Sequence, residues 1–336
     1  MSKIAIIGAG AWGTGLSIVL ARKGVHDVRL WAREPEVRES ISSKRINDHF
    51  LPGQMVPENL FVTGDLTDAL RNAEIVISVM PSQHCRNLFK QMAPHLKPGM
   101  LIVSATKGLE ETTLLRMTEV ISQALEPSGF KPRTGALSGP SFAAEVARGD
   151  PTAVAIASTD NELAERVQHE FSDPRFRVYR NDDVTGVELG GALKNVIAIA
   201  AGVCQGLNFG HNSIAALITR GLAEMTRLVV ACGGKQETMA GLAGLGDLVL
   251  TCTGDLSRNR SVGVELGHGR KLAEIVVSMH GSVAEGIFTT NAAIGLARAQ
   301  SVEMPITEQM YAILHDNKSP RDAMHELMTR KVKSES

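Results

Sequence analysis

The feature that most constrains this chain is a glycine-rich turn close to its N-terminus. The run Gly8-Ala9-Gly10-Ala11-Trp12-Gly13 matches G-x-G-x-x-G, and it follows a β-branched run at residues 3–7 and opens a helical pattern at residues 12–21. A second strand is predicted at residues 28–31. Because the connection is short, the two strands are expected to pair in parallel through a right-handed crossover.

Each glycine of this turn has its own predicted role. Gly8 permits the tight turn, Gly10 lets the backbone approach a pyrophosphate, and Gly13 lets the helix pack closely on the strand. The helix N-terminus adds free N–H groups and partial positive charge. Since the turn lies between a strand and a helix, we interpret it as a dinucleotide-binding site and not as a merely structural turn.

The end of the second predicted strand bears on the choice of nucleotide. An acidic residue that would bind the adenosine ribose 2′-hydroxyl is expected about 20 residues beyond the turn. Ala32-Arg33 stands there instead. Arg33 can pair with a 2′-phosphate or stack on adenine, or it can be a solvated surface arginine. NADP is therefore expected to be accepted, while the neighbouring Glu34 leaves NAD possible.

The pattern of apolar residues changes at about residue 184. Before it, continuous apolar runs alternate with polar or helical stretches, as in strands covered on both faces, at 75–80, 101–105, 135–138 and 153–157. After it, long helical patterns dominate, at 187–202, 213–232, 260–267, 282–299 and 306–315. We predict an α/β fold with a Rossmann-type doubly wound parallel sheet in a dinucleotide-binding domain, residues 1–183. An all-helical substrate and catalytic domain, residues 184–336, follows, with the active site in the crevice.

Composition narrows the possible partners. The 35 Lys and Arg residues nearly balance the 36 Asp and Glu residues, so no overall field favours nucleic acid or an anionic membrane. The four cysteines are widely spaced and form no Cys/His cluster, which favours reduced thiols over disulfides or a structural metal. With no apolar leader and no long uninterrupted apolar run, a cytoplasmic protein is expected.

Two predicted strand ends carry polar side chains. Lys107 follows the strand at 101–105, at the edge of the sheet where open α/β folds bind ligands. It can meet a phosphate or a reacting oxygen, or it can be solvated on a loop. After the next strand, Gly139 lets backbone come close and Ser141 offers either a helix cap or a hydroxyl to a substrate.

A lysine and an asparagine interrupt the most apolar helical pattern. Lys194 and Asn195 lie in the run 188–202, which is otherwise small and apolar on nearly every side and is therefore predicted to be buried. Desolvation or a neighbouring cation would lower the pKa of a buried lysine toward neutrality, as acid–base catalysis requires. A structural lysine paired with an acid is the alternative.

Two further segments add polar groups. Asp247 follows a glycine-rich turn and Thr251 lies one helical turn later on the same side; Asp247 can orient Lys194, bind a hydroxyl, or simply cap its helix. Ser257, Arg258 and Asn259 open another predicted helix and can form a socket for a phosphate dianion. A solvated basic loop is the alternative for this last segment.

With these residues assembled, the chain resembles the family of bacterial NAD(P)-dependent glycerol-3-phosphate dehydrogenases over nearly its whole length. The resemblance rests on segments that follow one another in the order typical of the family: 8–15, 105–110, 138–142, 188–200, 218–225, 241–254 and 257–260. It implies hydride transfer between NAD(P)H and dihydroxyacetone phosphate to give glycerol 3-phosphate for phospholipid synthesis. A homodimer is possible.

The resemblance also implies roles for individual residues. It makes Lys194 the acid–base residue, with Lys107 and Asp247 assisting it. It assigns the substrate site to Lys107, Gly139, Ser141, Lys194, Asn195, Asp247, Thr251, Ser257, Arg258 and Asn259. It implies cofactor contacts from Ala11, Trp12, Arg33, Lys107, Ala143, Arg258, Val283 and Glu285, in addition to the glycine turn. No metal is implied.

Two rival functions remain open from the sequence. A β-hydroxyacid dehydrogenase also joins a dinucleotide domain to a helical domain and uses a lysine and an asparagine, but it binds a carboxylate in place of a phosphate. A non-catalytic nicotinamide sensor would regulate a partner. The sequence has no DNA-binding helix-turn-helix signature to support the sensor.

Overall fold

The computed structural model describes residues 1–279, 283–331 and 334, and its first half is organised around a sheet of eight strands. The strands are β1 (Ser2–Ile7), β2 (His26–Trp31), β3 (Ile46–Asn47), β4 (Leu51–Met55), β5 (Leu60–Thr63), β6 (Ile75–Ser78), β7 (Leu101–Ser104), β8 (Arg133–Ser138), β9 (Thr152–Ala157) and β10 (Phe176–Asn181). The large sheet has the order β10-β9-β8-β7-β6-β1-β2-β5, and β3 pairs with β4 in a small separate hairpin.

Helices cover both faces of the large sheet. They are α1 (Ala11–Arg22), α2 (Pro35–Lys44), α3 (Leu66–Leu70), α4 (Cys85–Met92), α5 (Met117–Leu125), α6 (Ala143–Arg148) and α7 (Asn161–Phe171), with 3-10 turns at Ser82–His84, Ala93–His95 and Glu126–Ser128. Alternate residues of β1 divide between two cores. Ile4 and Ile6 pack in the core that contains residues of α1, while Ala5 and Ile7 pack with α4 and α5. This two-sided burial explains the continuous apolar runs.

Among the described residues after β10, the chain is helical and contains no strand. The helices are α8 (Val184–Gly206), α9 (His211–Ala231), α10 (Gln236–Met239), α11 (Asp247–Thr253), α12 (Arg258–Gly267), α13 (Leu272–Ser278), α14 (Glu285–Ala299), α15 (Pro305–His315) and α16 (Pro320–Met328), with a π-helical segment at Leu242–Gly246. The predicted fold class is therefore confirmed, a doubly wound sheet followed by helices.

Several details differ from the sequence prediction. The pairs of the large sheet are parallel except β8 with β9, which is antiparallel, because the intervening α6 packs on α1 and does not cross the sheet between them. The edge strands β5 and β10 and the hairpin of β3 and β4 were not predicted. Residue 282, where the helix predicted at 282–299 was expected to begin, lies outside the described residues. The domain boundary between residues 183 and 184 stays a prediction, and it falls between β10 and α8.

Helix α8 is the axis of the second half. Its residues from Gly186 to Cys204 are all buried, and it is long and apolar enough to cross a membrane by composition, yet its apolar window lies entirely inside the fold. Close packing with α12 requires glycines. A Cβ at Gly202 would lie 2.0 Å from the Arg260 carbonyl oxygen, and one at Gly263 would lie 2.0 Å from that of Ile199.

A buried carboxylate joins α8 to α5, one of the helices that cover the sheet. Glu188 accepts hydrogen bonds from the backbone N–H of Thr118 at 2.9 Å and from its hydroxyl at 2.6 Å. Its other contact is an ion pair of 2.8 Å with Arg116, the residue that precedes α5. Burial raises the pKa of Glu188, while these partners stabilise its charge. The first turn of α5 therefore holds α8 in place.

Candidate active site

The glycine turn is closed on one side and open on the other. Gly8 has a φ of +121°, and a Cβ there would lie 2.3 Å from the carbonyl oxygen of Val79. A Cβ at Gly13 would lie 1.9 Å from the carbonyl oxygen of Gly8, whereas one at Gly10 would meet no atom within 4 Å. The turn is therefore packed against β6 and α1 but leaves backbone accessible at Gly10, as a pyrophosphate requires.

The N-terminus of α1 has the electrostatic character of an anion site. Gly10 is its N-cap, no side chain caps it, and its first turn contains no acidic residue. Within the described part of the chain, the backbone N–H groups of Gly10, Ala11 and Trp12 donate no backbone hydrogen bond. Free donors together with the helix dipole favour a phosphate at this position. The residues present thus fit a dinucleotide.

At the end of β2, Arg33 and Glu34 lie beside one another on the surface. The Arg33 side chain is 68% exposed, and its Nη2 lies 2.8 Å from Glu34 Oε1.

Ala143, the first residue of α6, lies against α1 at Gly15. A Cβ at Gly15 would be 3.2 Å from the Ala143 carbonyl oxygen. The cofactor roles of these residues stay predictions.

Two lysines meet on one carboxylate at the carboxyl edge of the sheet. Lys107, after β7, places its Nζ 2.8 Å from Asp247 Oδ2, and Lys194, on α8, places its Nζ 2.5 Å from Asp247 Oδ1. The Lys194 side chain is 6% exposed and that of Asp247 1%, whereas Lys107 is 17% exposed. The structure thus brings together three residues that are far apart in sequence.

The position of Lys194 changes its acidity. Burial, assisted by the neighbouring Lys107, lowers the pKa of Lys194 to about 8, although Asp247 opposes the fall. The Lys194 ammonium also donates to Thr251 Oγ1 at 2.8 Å, and Thr251 donates to the carbonyl oxygen of Asp247 at 2.6 Å. An amine with a pKa near neutrality can exchange a proton with a substrate oxygen.

Asp247 does not cap a helix, so that alternative is wrong. Gly246 is the N-cap of α11 and no side chain caps this helix, because the preceding π-helical turn places Asp247 in the first helical position. Its carboxylate is buried and binds both lysines instead. A helix cap therefore does not explain the aspartate.

The loop after β8 completes the surroundings of Lys107. Its Nζ donates to the Gly139 carbonyl oxygen at 2.8 Å and to Ser141 Oγ at 3.3 Å. Gly139 has a φ of +143°, which places it in a backbone conformation that favours glycine. Phe142, and not Ser141, is the N-cap of α6, so the predicted capping alternative for Ser141 is also wrong.

A chain of amides links the first turn of α12 to α8. Asn259 Nδ2 donates to Asn195 Oδ1 at 2.9 Å, and its Oδ1 accepts from the backbone N–H of Gly286 at 2.9 Å. Asn195 in turn donates to the Lys107 carbonyl oxygen at 3.3 Å. These bonds place the start of α12 next to the residue that follows Lys194.

Ser257 and Arg258 begin α12 in different ways. Ser257 is buried and caps the helix, since its Oγ accepts from the backbone N–H of Arg260 at 3.2 Å. Arg258 is exposed, but enough protein surrounds its guanidinium that desolvation lowers its pKa. In the described ranges no hydrogen bond or ion pair engages the Arg258 guanidinium. It is a cation available to an anion.

A segment that residue patterns alone did not single out also reaches the site. Glu285, at the start of α14, accepts from the Ser82 backbone N–H at 3.0 Å and from its hydroxyl at 2.6 Å, and burial raises its pKa. A Cβ at Gly108 would lie 2.8 Å from Glu285 Oε2, which places this carboxylate beside the residue that follows Lys107. Val283 is half-buried just before it. Ser82 was missed at the level of sequence, since a lone serine after a strand has no distinctive pattern.

An open glycine turn and a buried lysine–carboxylate cluster at one edge of a doubly wound sheet define the class of nicotinamide-dependent dehydrogenases. No group of three or more potential metal ligands is found among the described residues.

Comparison with known proteins identifies the family within this class. The family models of the N-terminus and the C-terminus of NAD-dependent glycerol-3-phosphate dehydrogenase match residues 3–164 and 183–325. The chain belongs to this family, as its sequence pattern indicated.

Individual relatives match this chain over all or nearly all of their length. Glycerol-3-phosphate dehydrogenase [NAD(P)+] of Koribacter versatilis is 69% identical over 98% of both chains, and that of Acidobacterium capsulatum is 56% identical over the whole of both. The crystal structure of glycerol-3-phosphate dehydrogenase from Coxiella burnetii has a TM-score of 0.93 at 43% identity, covering 98% of this chain and 99% of that one.

Proposed function

We propose that the protein catalyses reversible hydride transfer between NAD(P)H and dihydroxyacetone phosphate, giving sn-glycerol 3-phosphate for phospholipid synthesis. The observation that supports this most strongly is the buried Lys194, whose pKa is lowered to about 8 beside Lys107 and Asp247. The names of the relatives supply the substrate. The geometry of Lys107, Lys194 and Asp247 supports the proton transfer.

Lys194 acts as the general acid in the direction of reduction. When bound, the reduced nicotinamide supplies a hydride to C2 of the ketone, and the carbonyl electrons move onto its oxygen. Lys194 then donates a proton from Nζ to this oxygen, so the products are the alcohol and the oxidised nucleotide. In the reverse direction the neutral amine removes the hydroxyl proton.

Lys107 and Asp247 prepare Lys194 for this transfer. The positive charge of Lys107 favours the developing alkoxide and lowers the pKa of Lys194. Asp247 holds both ammonium groups and can accept a hydrogen bond from a substrate hydroxyl. Thr251 orients the Lys194 Nζ, and Asn195 keeps the start of α12 beside it.

The phosphate of the substrate is bound at the start of α12. Arg258 offers a guanidinium that no other described residue engages, while Ser257 and Asn259 lie at the same helix start. Gly139 and Ser141 form the opposite wall with Lys107. A substrate held at both ends would present its C2 atom to Lys194, and this positioning contributes to the rate.

The nucleotide is held by the glycine turn, by Ala11 and Trp12 at the start of α1, and by Arg33 at the end of β2. On the substrate side it would meet Lys107, Ala143, Arg258, Val283 and Glu285. Because Arg33 stands where an acidic residue would select NAD, both NADH and NADPH are expected to serve.

We further propose that residues 1–183 form the nucleotide domain and residues 184–336 the catalytic domain, and that the protein is a cytoplasmic homodimer. Light scattering of the eluted protein tests the dimer, since a mass near 36 kDa would exclude it.

A steady-state assay tests the activity. Reduction of dihydroxyacetone phosphate is measured with NADH and NADPH in parallel, beside a panel of β-keto acids. Turnover of the triose phosphate without turnover of the β-keto acids supports the proposal. The reverse result would replace it with a β-hydroxyacid dehydrogenase, and the absence of any turnover would favour a nicotinamide sensor.

A further inference from the structure

The β3–β4 hairpin, which lies between α2 and β5, contacts the glycine turn through the side chain of Asn47, the last residue of β3. This residue is completely buried, with 0% of its surface exposed. Its Nδ2 donates to the carbonyl oxygen of Ala9 at 2.8 Å and to Thr14 Oγ1 at 2.9 Å. Its Oδ1 accepts from the backbone N–H of Phe50 at 3.0 Å, which fixes the orientation of the amide.

Thr14 closes this cluster from the helix side. Its hydroxyl accepts from Asn47 and donates to the same Ala9 carbonyl oxygen at 3.2 Å. The Ala9 carbonyl therefore has two donors inside the protein, one from α1 and one from a loop 38 residues further along the chain. One donor is enough to satisfy a buried carbonyl group, so a second donor from a separate segment restricts its orientation further.

The direction of the Ala9 carbonyl determines what the turn presents to a ligand. In a planar trans peptide the C=O and the following N–H point in opposite directions. Because the Ala9 oxygen is held inward, the N–H of Gly10 points the opposite way, and it donates no backbone hydrogen bond to any described residue. A carbonyl rotated outward would instead place a negative partial charge where a phosphate binds.

The hairpin that contains Asn47 is itself anchored. The Ser40 hydroxyl donates to the Ile46 carbonyl oxygen at 2.7 Å, and the Val56 backbone N–H donates to the Arg45 carbonyl oxygen at 2.8 Å. Arg45 has a φ of +56° and its guanidinium donates to the carbonyl oxygen of Pro57. These bonds hold the hairpin, and with it Asn47, in place without a ligand.

We propose that Asn47 is a positioning residue for nucleotide binding, which holds the Ala9 peptide so that the Gly10 N–H faces the pyrophosphate. This inference rests on the proposed assignment of the glycine turn to the dinucleotide. It predicts an effect on nucleotide affinity that is separate from the chemical step, because Asn47 touches neither Lys194 nor its partners.

The test compares Asn47→Ala with Asn59→Ala in the full-length protein. Asn59 lies in the same segment and donates to the carbonyl oxygen of Ala21, at the opposite end of α1, at 2.9 Å. We expect Asn47→Ala to raise the Kd and KM for NADH about tenfold, as expected for the loss of a buried hydrogen bond. Its kcat at saturating NADH and its KM for dihydroxyacetone phosphate should stay near wild type, and Asn59→Ala should leave the Kd unchanged.

Two further variants keep the test decisive. Asn47→Asp retains the acceptor for Phe50 but turns an oxygen toward the Ala9 carbonyl, so it should weaken NADH binding more than Asn47→Ala. If Asn47→Ala does not fold, Thr14→Val removes the other member of the cluster and should raise the Kd in the same way. A folded Asn47→Ala protein with wild-type Kd, or one that loses kcat at unchanged Kd, would overturn the positioning role.

Gly10→Val separates this inference from the proposed function. It fills the open side of the turn without touching Asn47. If Gly10→Val weakens NADH binding and the Asn47 variants do not, only the positioning role fails. If Gly10→Val also leaves NADH binding unchanged, the assignment of the turn to the nucleotide fails as well.

Discussion

Lys107 and Lys194 bind opposite oxygens of one carboxylate, that of Asp247, at 2.8 and 2.5 Å. The two lysines come from different elements, one from the edge of the sheet and one from α8. Since a single buried negative charge faces two ammonium groups, one lysine can lose its proton at modest cost, and the more deeply buried Lys194 is the one that does so.

Replacing Lys194 should remove the chemical step and spare nucleotide binding. For Lys194→Ala we expect kcat to fall roughly 100- to 10,000-fold, the usual contribution of a general acid. The Kd for NADH, measured by fluorescence titration, should stay near wild type. Lys235→Ala, which removes an exposed lysine paired with Asp182, is the matched control. Near-normal turnover in Lys194→Ala would remove this residue from the mechanism.

The pH dependence should report the acidity of Lys194. Reduction needs the ammonium, so its kcat/KM should be level at low pH and fall above about pH 8, whereas oxidation should rise through the same range. Asp247→Asn removes the carboxylate that raises this pKa, so the midpoint should move to lower pH. Asp255→Asn, which changes a 94% exposed carboxylate, should not move it. A midpoint that stays in place in Asp247→Asn would contradict the assignment to Lys194.

Arg258 should discriminate phosphorylated from unphosphorylated substrate. Losing charge-assisted hydrogen bonds should raise the KM for dihydroxyacetone phosphate roughly 10- to 100-fold in Arg258→Ala. The same variant should change the reduction of dihydroxyacetone far less. Arg260→Ala is the control, because that guanidinium already pairs with Asp255 at 2.9 Å. Equal losses with both substrates would place the phosphate elsewhere.

The pair of Arg33 and Glu34 should influence the preference between the two nucleotides. Glu34→Gln frees the Arg33 guanidinium and removes a charge that repels a 2′-phosphate. We expect the ratio of KM values to shift toward NADPH by roughly two- to fivefold, the scale of an exposed ion pair. Arg33→Ala should shift it toward NADH. Glu36→Gln, which alters another glutamate in the first turn of α2, should leave the ratio unchanged.

The sequence predicted the central strands because they are buried on both faces and read as continuous apolar runs. The edge strand β5 was missed because it is not buried on both faces: Leu60 is buried, but Phe61 is exposed. Strand β9 was predicted at residues 153–157, but its antiparallel direction was missed for a different reason. Strand direction depends on where the preceding helix packs, and that contact with α1 is not visible in the local sequence of α6.

The site was predictable where a polar residue interrupts an apolar pattern, as Lys194 does. Glu285 came only from the family resemblance, since a glutamate at the start of a helix has the ordinary appearance of a residue in a first turn. Asn47 was not predicted at all. Its bonds run from a side chain to a distant backbone carbonyl, and such bonds leave no periodic signal in a sequence.

The link between Glu188 and the first turn of α5 has a mechanical consequence. Lys194 lies only six residues further along the same straight helix, about 9 Å away. The backbone that carries the proton donor is therefore anchored to α5 through the Glu188 contacts. Since α12 packs against α8 through Gly202 and Gly263, and Asn259 bonds to Asn195, Arg258 and Lys194 keep a fixed spacing before any substrate enters.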